Sequence, residues 1–192
     1  MPTYKAPLKD FEFIIKDYLK LSQYNDLPGF EGSEALAMPL LEEGAKFCEN
    51  VLFPINQSGD AEGCKYENGT VRMPKGFKEA YAQYVGGGWP SFTCNTEWGG
   101  QGLPEVLNMP VTEMICSANL SFGLTPGLSH SAYNLMEKYC PAELKPRFMP
   151  KLVSGEWAGV MCLTEPQAGT DLGLIRTKAE PVGDGSYKIT GN

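Results

Sequence analysis

The feature that most constrains this chain is a change of hydrophobic period near Gly155. Before it, apolar residues recur at three- and four-residue spacing, as on one face of a helix. After it they alternate with polar ones, as along a half-buried strand. A helical body followed by β structure is the expected order.

The helical runs can be placed one by one. Behind Asp10, a candidate N-cap, Phe11, Ile14, Ile15, Tyr18, Leu19 and Leu21 mainly follow helical spacing. The stretch SQYNDLPGFEGSEA then reads as a loop. From Ser33 to Pro54, Leu36, Leu40, Leu41, Phe47, Val51 and Leu52 predict a helix that is interrupted or starts late around Pro39. PKGFKEAYAQYV predicts another, with Pro74 near its start and Gly86, Gly87 and Gly88 as its stop. The loop FTCNTEWGGQGLP follows, with Gly99, Gly100 and Gly102 allowing close approach or positive φ. Helices are then expected over 104–119, 129–139 and 141–153, joined by short connections typical of antiparallel packing.

Past Gly155, EWAGVMCL reads as a mostly buried strand. IRTKAEPV sets Arg176, Lys178 and Glu180 against Ile175, Thr177 and Ala179, the pattern of a strand with one wet face. Asp184-Gly185 predicts a turn into a return strand, SYKIT. Three short strands bury too little apolar surface to stand alone, so the β domain is expected to be incomplete in this chain.

Composition excludes several functions. With 42% hydrophobic residues in 192 the chain can bury a core. Its 16 Lys+Arg against 23 Asp+Glu give a net charge of −7, without the basic cluster on which nucleic-acid binding depends. No apolar run approaches the ~18 to 20 residues of a transmembrane helix. Asp10 and Glu12 stand where a secretory peptide has its apolar core, and the first arginine is Arg72, which argues against a mitochondrial presequence. A cytoplasmic location is expected. Six scattered cysteines (Cys48, Cys64, Cys94, Cys116, Cys140, Cys162) form no CxxC pair, and the single histidine, His130, is not at metal-ligand spacing. Buried, reduced cysteines and no metal site are the expectation.

The chemistry concentrates in MCLTEPQAGTDLG, Met161 to Gly173. A loop of Thr, Glu, Pro, Gly, Thr and Asp offers hydroxyls and backbone N–H groups side by side, able to bind anionic oxygens or a heterocycle's carbonyl edge. By residue type alone, a turn held by its own Asx or ST bond accounts for the stretch equally simply.

The order of residues resembles the signature of the acyl-CoA dehydrogenase family of flavoproteins: a small residue, an aliphatic, Ser/Thr, Glu, two variable positions, a small residue, Gly, Ser/Thr and Asp. Cys162, Leu163, Thr164, Glu165, Pro166, Gln167, Ala168, Gly169, Thr170 and Asp171 meet it in turn. Gln167 stands where Gly is frequent, and Leu174 where a small residue is preferred. GEWAGVMCL, KAEPVGDGSYKITGN, TEWGGQGLP and PAELKPRFMPKLVSGEW resemble other stretches of that family. YKAPLKDFEFIIKDYL is similar to the N-terminal extension of a longer branch, whose members act on medium- to long-chain acyl-CoAs and on 3-methylmercaptopropionyl-CoA.

The resemblance implies a mainly α chain: an antiparallel helical domain followed by the start of an incomplete β-barrel-like domain. The divisions are an N-terminal extension at 1–32, the helical domain at 33–156 and the β segment at 157–192. It implies FAD as cofactor, lined by the backbone from Met161 through Gly169. Thr164 is implied to hydrogen-bond the pyrimidine end of the flavin, and Thr170 to contact the pyrophosphate and lie near the acyl-CoA. The implied reaction oxidises an acyl-CoA thioester to the trans-2-enoyl thioester, with an electron-transfer flavoprotein or oxygen as acceptor and a homodimer or homotetramer as assembly. In the family the catalytic carboxylate comes from a C-terminal helical domain absent from this chain, so no catalytic residue is assigned. Glu165 is given a structural role, and His130 a packing or capping role. Trp89, Trp98 and Trp157 are read as packing rather than as a flavin stack. Two alternatives stay open: a non-catalytic binding or assembly module, against which the pair Thr164 and Thr170 speaks, and an acyl-CoA oxidase.

Overall fold

The computed structural model describes residues 3–191; Met1, Pro2 and Asn192, at the ends of the first and last expected segments, lie outside the described residues. The chain divides into two compact units, one up to Val160 and one from Met161.

The first unit is helical. α1 (Leu8–Phe13) runs into a π-helical turn (Ile14–Tyr18) and buries Phe11 and Ile15. Ile14 and Tyr18, expected on the apolar face, are exposed. The wider π turn adds a residue per turn and so rotates the face. α2 (Ser33–Phe47), a π turn (Cys48–Leu52) and α3 (Phe53–Glu62) form one continuous run that Pro39 does not interrupt, contrary to expectation. The backbone bond that Pro39 forgoes is offset by burial of Ala37, Leu41 and Ala45 in the main core. Pro54 has no N–H to offer Asn50, and the helix widens in the turn just before it.

A two-stranded antiparallel hairpin follows, β1 (Lys65–Glu67) against β2 (Thr70–Arg72), where no β structure was expected. Its turn is Asn68-Gly69, both at positive φ (51° and 79°), the geometry that favours Asn-Gly in two-residue hairpins. The signal stood in the sequence, but the strands around it are too short and polar to show an alternating pattern. α4 (Phe77–Gly86) ends at the glycines as expected.

The largest correction concerns α5. Residues Glu105–Tyr139 are helical throughout except at Asn119 (φ −161°, ψ 88°), which divides the run into two arms. The second arm therefore begins nine residues before the expected Ser129 and takes in Gly123, Pro126 and Gly127, which had been read as a connection. Asn119 explains the break. It is fully buried; its Oδ1 accepts from the Phe122 N–H at 3.0 Å, capping the second arm, and its Nδ2 donates to the Leu52 carbonyl at 3.2 Å. α6 (Lys145–Val153) completes the unit. α5 packs on α2, α3 and α6, and Leu41, Leu52, Ala80, Leu107, Met114 and Ala118 lie at the centre of the main core.

The second unit holds much less regular structure. The expected strand in EWAGVMCL does not form: 158–164 has no ladder partner among the described residues, and Val160 and Met161 are 73% and 68% exposed. An apolar run without a partner strand has no bonds to fix it as a strand. The expected turn at Asp184-Gly185 does form, joining β3 (Lys178–Pro181) to β4 (Tyr187–Thr190) in an antiparallel pair with Lys178 opposite Thr190. Both faces of this pair are exposed, rather than one, because no second layer covers either among the described residues.

Some side chains differ from expectation. Cys48 and Cys94 are buried, Cys116 and Cys140 partly so, but Cys64 and Cys162 are exposed; all six are free thiols. Trp89 packs on the main core and Trp98 on a smaller cluster of Cys94, Tyr133, Met149 and Val153. Trp157 stays 39% exposed beside Phe148 and Lys151. Among the described residues no helix is long and apolar enough to cross a membrane, and no group of three or more His, Cys, Asp or Glu is placed to hold a metal ion.

Candidate functional site

The loop from Met161 to Gly173 is organised by one carboxylate. Glu165 and Ala168 exchange backbone bonds in both directions, at 2.9 and 3.0 Å, closing a tight turn over Pro166 and Gln167. The Glu165 side chain turns inward and is buried. It accepts from the N–H of Arg176 at 3.0 Å and of Thr177 at 2.9 Å, from the Thr177 hydroxyl, and from the Gln167 amide. These donors, the Thr177 hydroxyl first, hold its carboxyl down at about 2, well below the usual glutamate range. An anion so committed has little basicity and no free direction toward a substrate.

The two departures from the family signature meet in space. Gln167 also reaches the Leu174 carbonyl, at 3.4 Å, so the side chain that replaces a glycine joins the two sides of the loop. Asp171 accepts from the Gly173 N–H at 2.9 Å and caps the short 3₁₀ turn Leu172–Leu174, the Asx bond considered for this stretch. Ala168 is buried, at 1% exposure.

The outward groups remain available. Met161, Cys162, Leu163, Thr164, Pro166, Gly169 and Thr170 are exposed. Among the described residues, the hydroxyls of Thr164 and Thr170 and the N–H groups of Thr164, Gln167, Gly169 and Thr170 have no protein partner. Gly169 lies against Thr164; a β-carbon on it would sit 3.8 Å from the Thr164 methyl. One short turn thus presents two hydroxyls and several backbone donors, with the Glu165 carboxylate facing inward and that of Asp171 engaged by the Gly173 N–H, an arrangement suited to carbonyl or phosphate oxygens. Arg176 and Thr177, which fix Glu165, carry no sequence signal for that role: each gives a backbone N–H, which no residue type marks, and the Thr177 hydroxyl is one of many in the chain.

The other candidates lie in the helical unit. In the glycine loop, a β-carbon on Gly100 would come 2.0 Å from the Cys94 carbonyl oxygen, so only glycine fits. Asn95 and Trp98 bind that loop to α5 through the Glu137 carboxylate, at 3.0 and 2.9 Å. His130 stacks on Tyr133 and stands 3.4 Å from Glu105 across the wall of a cavity of about 240 Å³; among the described residues its Nε2 has no hydrogen-bond partner.

Residues 39–156 match the model of the acyl-CoA dehydrogenase N-terminal domain. The chain is 40% identical over 190 residues to a 3-methylmercaptopropionyl-CoA dehydrogenase of Ruegeria pomeroyi, covering 98% of this chain and 32% of the relative. It is 34% identical over 199 residues to a butyryl-CoA dehydrogenase of Syntrophomonas wolfei, again covering 98% and 32%. The chain thus spans about a third of the length of these curated relatives. Among solved structures, butyryl-CoA dehydrogenase of Megasphaera elsdenii superposes with a TM-score of 0.68 at 23% identity, over 81% of this chain and 39% of that one, a likeness of fold.

Proposed function

The chain belongs to the acyl-CoA dehydrogenase family, and from that premise we propose that it is the N-terminal part of an FAD-dependent enzyme oxidising an acyl-CoA thioester to its trans-2-enoyl form. The observation that carries the proposal is the loop itself: Glu165 is spent on Arg176 and Thr177, while Thr164, Thr170 and the backbone around them keep their donors outward.

That donor set fits a flavin dinucleotide. Its pyrimidine carbonyls and pyrophosphate need hydrogen bonds, and this turn supplies them without a cation. The Thr164 hydroxyl donates to the pyrimidine end, where negative charge grows on reduction, and a fixed donor there acts as an oxyanion hole does. Thr170 donates to a pyrophosphate oxygen and borders the acyl-CoA. Met161, Cys162, Leu163, Glu165, Pro166, Gln167, Ala168 and Gly169 line the cofactor chiefly through backbone. When bound, FAD supplies the acceptor for hydride from the substrate β-carbon. The α-proton is taken by a carboxylate outside these residues, and the 192-residue chain alone is inactive.

The same reading makes the exposed hairpin β3–β4 the start of a barrel-like β domain. It makes the whole protein a cytoplasmic homodimer or homotetramer that passes electrons to an electron-transfer flavoprotein. The complete protein should purify yellow and bleach anaerobically on addition of butyryl- or octanoyl-CoA. A colourless protein that binds no added FAD would overturn the reading.

A further inference from the structure

The helical unit has a further concave feature of its own. A cleft of about 680 Å³ lies between β2, the turn Met73–Gly76, the start of α4, the first residues of the second arm of α5, and Gly155–Ala158. Its apolar lining includes Phe77 and Phe122, both buried, and the ring of Tyr81, whose hydroxyl is engaged by the Gly155 carbonyl at 2.9 Å. Three exposed cations line it, Arg72, Lys75 and Lys78, and none of their charged groups has an ion-pair or hydrogen-bond partner among the described residues. Two carboxylates also line the cleft. Glu156 is held by Lys151 at 2.7 Å, which leaves Glu79 as the uncommitted one.

The charge is out of keeping with the rest of the chain, in which acidic residues outnumber basic ones 23 to 16. Unpaired cations gathered at the rim of an apolar cleft complement a molecule with two ends. We propose that this cleft binds a single-chain amphiphile with an anionic head, carboxylate or phosphate. The tail lies on Phe77, Tyr81 and Phe122, and the head lies among Arg72, Lys75 and Lys78. The cleft has the size of small-molecule sites, roughly 300 to 1,000 Å³. None of its lining residues belongs to the Met161–Gly173 loop, so its test reads binding and not turnover.

Isothermal titration of the full-chain protein with laurate and with dodecyl phosphate tests it. At least one of the two binds, and which one identifies the head group. Dodecanol, with the tail alone, and inorganic phosphate, with the charge alone, bind at least roughly tenfold more weakly, because each keeps only one of the two contacts. The triple variant R72Q/K75Q/K78Q loses affinity by roughly tenfold and most of its salt dependence, as expected for three exposed charge contacts. Ser121→Trp, an exposed substitution at the cleft wall, blocks binding while leaving those charges in place. Unchanged affinity in both variants puts any binding elsewhere and overturns the proposal. So does dodecanol binding as tightly as laurate, or phosphate binding as tightly as its dodecyl ester.

Discussion

Up to Val160 the chain is held by apolar burial; from Met161 onward it is held mainly by hydrogen bonds, with one cluster of them converging on Glu165. The first unit buries Leu41, Leu52, Leu107, Met114 and Ala118 almost completely, and its one deeply buried amide, Asn119, is satisfied on both sides. Among the described residues of the second, only Ala168 and Glu165 are buried, and the hairpin is exposed on both faces. A packed core fixes helices but has no polar groups to spare. A loop knotted by one carboxylate keeps its remaining donors free for a ligand, and it opens at lower free energy than the core does.

Core truncation should produce the largest effect that follows from this difference. Leu41→Ala removes a fully buried side chain and should destabilise the helical unit by about 2–5 kcal/mol in chemical denaturation. A loss below about 1 kcal/mol would mean that burial does not hold this unit, and the contrast would fail.

The same contrast governs what the sequence disclosed. Helices anchored by many periodic residues, such as α2 with Leu40 and Leu41 or α4 with its glycine stop, were legible because a 3.6-residue pattern repeats the same information. Where one residue decides, the reading holds only in part. The first helix ends at Asn119 as expected, but the second arm starts directly after it, on bonds from Asn119 to Leu52 and Phe122, and the first of these lies far away in the chain. Residues 120–128 stay helical despite Gly123, Pro126 and Gly127, because tertiary packing outweighs local propensity. The apolar EWAGVMCL lacks the partner that would make it a strand. In the loop, residue types showed which groups the stretch contains; that Glu165 faces inward depends on the backbone donors at 176 and 177 and on the Thr177 hydroxyl, which lie 11 and 12 residues further along and which local residue order does not bring to it.

Next in size is cofactor retention. On the proposed function, Thr170→Ala in the complete protein removes a hydrogen bond to a charged oxygen, worth about 1.5–3 kcal/mol, and weakens FAD binding by roughly ten- to hundredfold. The helical core should be unaffected, so thermal unfolding of the apoprotein stays unchanged. Full flavin occupancy after exhaustive dialysis would deprive Thr170 of this role.

Thr164→Val should act more subtly, on reduction rather than on binding. If the hydroxyl stabilises charge on the reduced flavin, the midpoint falls by a few tens of millivolts; ~30 mV corresponds to about 1.4 kcal/mol for two electrons. The reductive half-reaction should slow in parallel. An unaltered midpoint in potentiometric titration leaves Thr164 a spectator.

Acid should loosen the second unit before the first. The Glu165 carboxyl, held at about 2 when folded, titrates near ~4.3 in an unfolded chain. Its contribution is therefore complete above about pH 4.3 and is lost as pH falls toward 2. Amide exchange of Arg176 and Thr177, corrected for its intrinsic pH dependence, should lose protection over that interval while the amides of α5 keep theirs. Protection at Arg176 and Thr177 that persists at pH 2 would show that the carboxylate does not organise the loop.

The smallest effect is expected on the hairpin, and it bears most directly on the contrast. Ile189 is 72% exposed on β4, so Ile189→Ala in the 192-residue chain should cost less than about 0.5 kcal/mol. A cost above about 1 kcal/mol there would mean that apolar contacts hold this unit after all. In the complete protein the proposed β domain gives the opposite expectation. A further layer covering β4 would bury Ile189, and full burial of such a side chain is worth about 1.5–3 kcal/mol. A penalty that rises to that range only in the longer protein would show the second unit passing from hydrogen-bonded to packed once its domain is complete. The flavin loop would then owe its final geometry to residues beyond this chain. Equal, small penalties in both would leave the hairpin an exposed flap and remove the barrel-like reading.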